Sequence, residues 1–339
     1  MHEPLVGLYK TLFGEEPVEI SPLNAHASNR RMFRLVGPGR SVIGIVNPNR
    51  FENRAFLEFS AHFKSVGLPV PTIFGADLDA GIYLEEDLGS QTLYDVLSAA
   101  RSDADPFPAA IEQLYVEAVS FLPRFQIVAG AALNYDSCHP RKVYDRESML
   151  WDMRFFRDSF VKRAGVAFDE ARLEADFERL ADFLEEAPTG FFMYRDFQSR
   201  NIMVRDGALF FIDYQGGRRG PLQYDVASLL YQAKAKIPAD ARRRILDAYL
   251  AAASRYAPIE RELFLRHFYG FVLVRLLQVL GTYGEQGLNL QKTYFVESIP
   301  HALRNLRALE PDVPLAADLT EFSRVVAALN TMYLTEDRA

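Results

Sequence analysis

The spacing of apolar positions changes character near residue 88. Leu5, Leu8, Tyr9, Leu12 and Phe13 recur at helical spacing and Gly14 closes the run, so a first helix is predicted there. Three strand-like pieces follow at Val18–Ile20, Met32–Val36 and Ser41–Val46. The last two are joined by Gly37-Pro38-Gly39, a hairpin signal. A helix is predicted from Phe51 to Val66, stopped by Gly67 and Pro69. Ile73–Ala76 and Ile82–Glu85 then flank Asp77-Leu78-Asp79-Ala80-Gly81, which reads as a second hairpin.

Beyond Glu85-Glu86-Asp87-Leu88-Gly89 the pattern becomes mainly helical. Thr92 is placed to cap a helix running to Ala100, and a longer one is predicted over Pro108–Ala129, with Pro123 kinking or breaking it. Leu150, Met153, Phe156 and Phe160 share one face of a helix over Glu147–Arg163. Further helices are predicted at Leu173–Ala187, Asp225–Lys236, Ala239–Arg255 and Glu260–Tyr283. The fold class is therefore α+β. A small antiparallel-sheet lobe with one helix, residues 1–88, joins a larger, mainly helical lobe, residues 89–339.

One hairpin interrupts the helical region and carries the candidate chemistry. Ile202-Met203-Val204 and Leu209-Phe210-Phe211-Ile212 surround Arg205-Asp206-Gly207, whose Asp-Gly pair supplies the positive φ that tight hairpins need. The hairpin brings Asn201, before its first strand, close to Asp213, after its second; Asp196 lies on the entering loop. An Asp in that place can accept the proton of an attacking hydroxyl. The Asn and the second Asp are hard oxygen ligands for Mg²⁺ bridging phosphates. Asp225 opens an apolar helix and is either a plain cap or a support of the catalytic loop.

Composition narrows the partners. The chain has 339 residues, 49% apolar and 24% charged, with a net charge of −7 and no dense basic stripe, which argues against a nucleic-acid surface. A single cysteine, Cys138, excludes an intramolecular disulfide and fits a reducing cytoplasm. The start, Met1-His2-Glu3-Pro4-Leu5, lacks the pattern of a signal peptide. The stretch Phe268–Leu280 is interrupted by Arg275 and Gln278 and reads as a buried helix, so no membrane partner is expected. The six histidines show no zinc spacing.

The run Asp196-x-x-x-x-Asn201, then Ile212-Asp213, then Gly220-x-x-x-x-Asp225 resembles the aminoglycoside/choline phosphotransferase superfamily. Arg195-Asp196-Phe197-Gln198-Ser199-Arg200-Asn201 with Ile212-Asp213-Tyr214-Gln215 is similar, more closely, to bacterial cell-wall amino-sugar kinases. Ala27 to Arg34 and Gln278 to Tyr283 also resemble that group. The resemblance implies a bilobal protein-kinase-like fold, a catalytic hairpin over 191–215, ATP and Mg²⁺ as cofactors, and a small-molecule acceptor. The acceptor it implies is the anomeric hydroxyl of N-acetylmuramate or N-acetylglucosamine. An aminoglycoside or choline-type kinase and a regulatory nucleotide-binding pseudokinase are the alternatives.

By the same resemblance, Ala25–Arg30 forms the loop over the phosphates, with Ser28, Asn29 and Arg30 as donors, and Glu85 to Leu88, including Asp87, forms the adenine hinge. Two departures stand out. Tyr194 replaces the usual loop-bracing histidine, and the strand expected to carry a phosphate-pairing lysine reads Val42-Ile43-Gly44-Ile45-Val46. That cation falls to Arg30, Arg31 or Arg34, with Glu58, ahead of Glu52, as its candidate helix partner. For the acceptor, Trp151 offers a stacking face and Asp152 a hydroxyl acceptor. Arg195 and Arg200 meet either a substrate carboxylate or loop carbonyls.

Overall fold

The structure is a computed structural model; it describes residues 2–23, 30–309, 313 and 316–334. The chain begins with α1 (Glu3–Phe13), which has Pro4 in its first turn and ends on Gly14 in the left-handed region (φ 74°). Then come β1 (Glu19–Leu23), β2 (Arg31–Gly37), β3 (Arg40–Val46), α2 (Arg50–Ser65), β4 (Ile73–Asp77) and β5 (Ile82–Glu86). The five strands form one antiparallel sheet in the order β1-β2-β3-β5-β4. Asn49 caps α2 by accepting the Glu52 N–H.

The two faces of this sheet do different jobs. Leu35, Val42, Ile82 and Leu84 pack with Leu5 and Tyr9 of α1 in a small separate core. Ile43, Ile45 and Tyr83, on the opposite face, join α2 and the main core. Gly44 permits the first contact: a Cβ there would lie 2.7 Å from Leu35 Cδ1 and 3.0 Å from Leu5 Cδ1.

The helical part opens with α3 (Leu93–Ala100), started by a capping box in which Thr92 and Asp95 exchange hydrogen bonds. Next is α4 (Ala109–Pro123). At Pro123 the missing N–H ends regular α-helix; the chain passes through a π-helical segment, Arg124–Ala129, into the short α5 (Gly130–Ala132). There follow α6 (Arg146–Phe156), α7 (Glu170–Glu185), β6 (Phe191–Met193), β7 (Ile202–Arg205), β8 (Ala208–Phe211) and β9 (Arg218–Gly220). The remainder is α8 (Gln223–Leu230), α9 (Ala239–Ala253), α10 (Arg261–Tyr283), α11 (Thr293–Val296), α12 (Ile299–Leu309) and α13 (Thr320–Tyr333).

Most predicted elements are present, with three differences. The helix expected over Asp225–Lys236 ends at Leu230, and a 3₁₀ turn takes Ala233–Ala235. β9 pairs with β6, a long-range ladder between two three-residue segments too short to show a period. α11 to α13 lie beyond the last element that the apolar pattern predicts. By length and composition the span Arg261–Asn289 is apolar enough to cross a membrane, but 67% of its apolar window is buried. It is the central helix of the main core, and Phe268, Phe271, Leu276 and Leu280 all lie inside it.

Candidate active site

β7 and β8 form a two-stranded hairpin closed by Asp206 (φ 54°) and Gly207 (φ 79°), the positive-φ pair a tight turn requires. This hairpin sets Asn201 beside Asp213: Asn201 Nδ2 donates to Asp213 Oδ2 at 3.2 Å and to the Asp196 carbonyl at 2.8 Å. Asp213 has φ 68° and Arg195 φ 74°, left-handed values rare for side chains with a Cβ. Both flank the candidate chemistry, where such strain tends to be kept.

Asp196 is the most open of these groups, its side chain 38% exposed. Its Oδ1 accepts Arg275 Nη2 at 3.2 Å and Gln198 Nε2 at 3.5 Å. Among the described residues nothing hydrogen-bonds Oδ2, which lies 3.9 Å from where a Gly216 Cβ would be. Arg275 itself is buried on α10 and is held by Ser228 Oγ at 3.0 Å and Gln278 Oε1 at 2.5 Å. The sequence pattern marks Arg275 only as an interruption of an apolar helix, 79 residues from Asp196, and gives no signal of the contact.

The loop is shaped from below by Asp225. It lies in the first turn of α8 but is not the N-cap, which is Leu222. Its carboxylate accepts the N–H groups of Tyr194 and Arg195, both at 2.8 Å, and Gln126 Nε2 at 2.8 Å. Burial pushes the Asp225 carboxyl up to about 7, against the pull of the Tyr194 N–H, Gln126 and Arg195 N–H donors. Gln126 reaches it because the π-helical segment after Pro123 turns that side chain inward. Tyr194 is buried and donates its hydroxyl to the Ile212 carbonyl at 2.6 Å, tying the loop to the end of β8.

On the sheet side, Arg30 stands at the entrance to β2. Its Nη2 donates to Asp213 Oδ1 at 2.5 Å, and its Nε lies 3.6 Å from Glu52 Oε1 on α2. The expected preference for Glu58 is therefore corrected to Glu52; Glu58 faces outward and accepts the Ser137 hydroxyl. Burial tends to raise the Asp213 carboxyl, but the Arg30 charge with donors from Gln215 and Asn201 outweighs it and holds the group below its usual range. Arg34 is corrected too. It forks onto Asp87 at 2.7 and 3.0 Å, and Asp87 also accepts the Ser41 hydroxyl and the Gly89 N–H. That pair is committed to fixing the turn after β5. Glu85, paired across the ladder with Ile43, points to the Arg30 side; burial pushes its carboxyl up to about 8, opposed by Arg30 and helped by Asp213.

The acceptor-side expectations divide. Asp152 is fully buried (0%), accepts the Tyr144 hydroxyl at 2.7 Å and faces Arg195 Nη2 at 3.3 Å. It braces Arg195 and offers nothing to a ligand, which corrects its reading as a substrate contact. Trp151 is 53% exposed and stacks on Phe155 at 5.2 Å and 12°. Arg200 lies in a sandwich, 3.8 Å above Tyr94 and 5.1 Å from Tyr294, and is corrected to a joint between α3, α11 and the loop. Ser28 and Asn29 lie outside the described residues.

An antiparallel sheet flanked by two helices and set on a helical body, with an Asp-Asn-Asp group at the hairpin, defines a kinase-like phosphotransferase. Residues 19–263, more than half of the chain, match the phosphotransferase enzyme family. The chain belongs to that family and is a small-molecule kinase by class. It is 29% identical over 322 residues to the N-acetylmuramate/N-acetylglucosamine kinase of Pseudomonas aeruginosa, covering 92% of this chain and 89% of that one. It is 26% identical over 307 residues to the kinase of the same name from Neisseria meningitidis (88% and 87%). Among solved structures, choline kinase from Cryptosporidium parvum superposes with TM-score 0.63 at 11% identity, over 94% of this chain and 100% of that chain. Amicoumacin kinase in complex with AMP-PNP and Ca²⁺ does so with TM-score 0.60 at 13% identity, over 93% and 96%.

Proposed function

We propose that this kinase transfers the γ-phosphoryl group of ATP to the anomeric hydroxyl of an N-acetylated amino sugar, N-acetylmuramate or N-acetylglucosamine. The observation that supports phosphoryl transfer to a hydroxyl is the asymmetric environment of Asp196; the amino-sugar acceptor is supported by the likeness to the N-acetylmuramate/N-acetylglucosamine kinases. Arg275 and Gln198 occupy Oδ1, which leaves Oδ2 to take the proton of an incoming hydroxyl. The hydroxyl oxygen then bonds to the γ-phosphorus as the bridging P–O bond breaks and the nucleoside diphosphate leaves.

Asn201 and Asp213 fit a magnesium site. They are neighbouring hard-oxygen residues, and among the described residues no group of three or more His, Cys, Asp or Glu forms a self-sufficient metal cage. A shared site completed by phosphate oxygens is the pattern magnesium favours; when bound it neutralises phosphate charge. Arg30, braced by Glu52, supplies the fixed cation that the strand lacks. Residues 1–88 then form the nucleotide side, while 89–339 supply the hairpin and the acceptor side. The exposed Trp151, backed by the half-buried Phe155, gives a sugar ring an apolar face.

The test is a coupled ADP-release assay over N-acetylmuramate, N-acetylglucosamine, choline and an aminoglycoside, with the 1-O-methyl glycosides of both sugars as blocked controls. Turnover with the free sugars and none with the glycosides is expected. Turnover only with choline or the aminoglycoside rejects the sugar reading, and no ADP release with any acceptor rejects the enzyme reading in favour of a nucleotide sensor. Asp196→Asn should lower kcat about 10³-fold while nucleotide affinity by calorimetry stays within about 3-fold; a variant that keeps its rate would show the base to be misassigned.

A further inference from the structure

One buried arginine beside the base is not explained by the reaction. Arg218 opens β9, directly opposite Met193 in the ladder with β6, and so lies at the foot of the catalytic loop. It is 5% exposed. Its Nε donates to the Gly216 carbonyl at 3.0 Å. Among the described residues that is its one hydrogen bond, and no carboxylate lies within ion-pair distance of it. Neither Nη is sealed off from solvent.

A buried guanidinium normally has its donors matched, because an uncompensated charge away from water is costly. Each neighbouring arginine has a carboxylate partner: Arg275 binds Asp196 as well as Ser228 and Gln278, and Arg195 binds Asp152 through Nη2. Arg195, Arg218 and Arg275 thus face two carboxylates, Asp152 and Asp196, and one positive charge is left over. Burial and the Arg195 charge push the Arg218 group down to about 10, as expected of a cation short of a counter-ion.

Place decides which anion would answer it. The groups that weigh most on Arg218 are Arg195, Asp152, Tyr224 and Asp196. It is therefore on the acceptor side of the base, while the Asn201–Asp213 pair and Arg30 mark the phosphate side. Gly216 links the two functions: its carbonyl holds Arg218 Nε, and a Cβ on it would stand 3.7 Å from Arg195 Cδ and 3.9 Å from Asp196 Oδ2. With Nε anchored, the two Nη groups present the end of the fork that grips a carboxylate in two places.

We propose that Arg218, with Arg195 beside it, is the seat for a carboxylate carried by the acceptor sugar. This rests on the amino-sugar reading above and deepens it: N-acetylmuramate bears such a group on its lactyl ether, and N-acetylglucosamine does not. The same excess charge disfavours cationic acceptors.

The experiment compares wild type and Arg218→Gln on N-acetylmuramate, its carboxamide and N-acetylglucosamine, by steady-state kinetics and by direct calorimetric binding. Wild type prefers N-acetylmuramate to its carboxamide. In Arg218→Gln the ratio of kcat/KM for N-acetylmuramate over N-acetylglucosamine falls about 30-fold, chiefly through KM. Arg218→Lys recovers part of that ratio. Equal losses on both sugars overturn the proposal and give Arg218 to the transferred phosphoryl group or to structure; so does a wild type that binds acid and carboxamide alike. If neither sugar turns over but binding still favours the carboxylate in an Arg218-dependent way, the subsite stands and only the amino-sugar kinase reading falls.

Discussion

The sheet side and the helical side of this site treat positive charge in opposite ways. On the sheet side each cation described at the site is matched: Arg30 by Asp213 and Glu52, Arg34 by Asp87. On the helical side Arg195, Arg218 and Arg275 outnumber Asp152 and Asp196. A matched wall suits a phosphate whose charge arrives with its own metal ion, since the fixed cation then needs only to orient it. A wall with a surplus suits an acceptor that brings a bare anion. The difference teaches that the selectivity of this kinase is to be sought in charge balance around the loop and not in the Asp-Asn-Asp group, which in the role proposed for it would serve any acceptor.

The comparison can be broken most sharply at Arg30. Arg30→Gln leaves Asp213 and Glu52 without their shared cation, and kcat/KM for nucleotide should fall about 10²-fold, with Glu52→Gln costing about 10-fold or less. Coupled ADP release at varied nucleotide measures both. A fall of under 3-fold for Arg30→Gln would mean that the sheet side is matched for structural reasons alone.

A smaller effect tests whether the surplus wall depends on its support. Asp225→Asn replaces an accepting oxygen by an N–H₂ that meets backbone donors of Tyr194 and Arg195. Urea unfolding should show a loss of about 2–3 kcal/mol, with a matching loss of activity from a misplaced loop. Unchanged stability would show that Arg195 and Asp196 are held by the helices instead.

The smallest effect concerns Glu85, the sheet-side carboxyl raised to about 8 by burial. In the folded chain it keeps its proton while the unfolded chain, at the ordinary 4.5, releases it. Stability therefore falls as pH rises from about 4.5 to about 8 and levels off above. Glu85→Gln removes that decline, gaining on the order of 2 kcal/mol over the parent at pH 8.5 and little at pH 5. Equal pH profiles for the two proteins would place Glu85 in contact with water and outside the site.

Much of this was legible in the chain because it is local. The helix start at Thr92, the stop at Gly14 and the Asp206-Gly207 turn depend on residues a few positions apart, so their chemistry is written in short stretches. The spacing of Asp196, Asn201 and Asp213 is local in the same way, since a single hairpin brings them together.

What the sequence by itself determined, then, is the spacing of the proposed catalytic group and the elements that hold it. Only the tertiary structure decided its electrostatic surroundings. Arg275 reaches Asp196 through the packing of α10, 79 positions away, Arg30 spans 183 positions to Asp213, and Arg218 arrives by the β6–β9 ladder. It also decided that Asp152 and Arg200 turn inward while Glu52, and not Glu58, meets the arginine. The physical reason is that caps, helix stops and tight turns are set by residues a few positions apart, whereas a distant strand pairing or a charge takes whichever partner the folded core brings within a few ångströms.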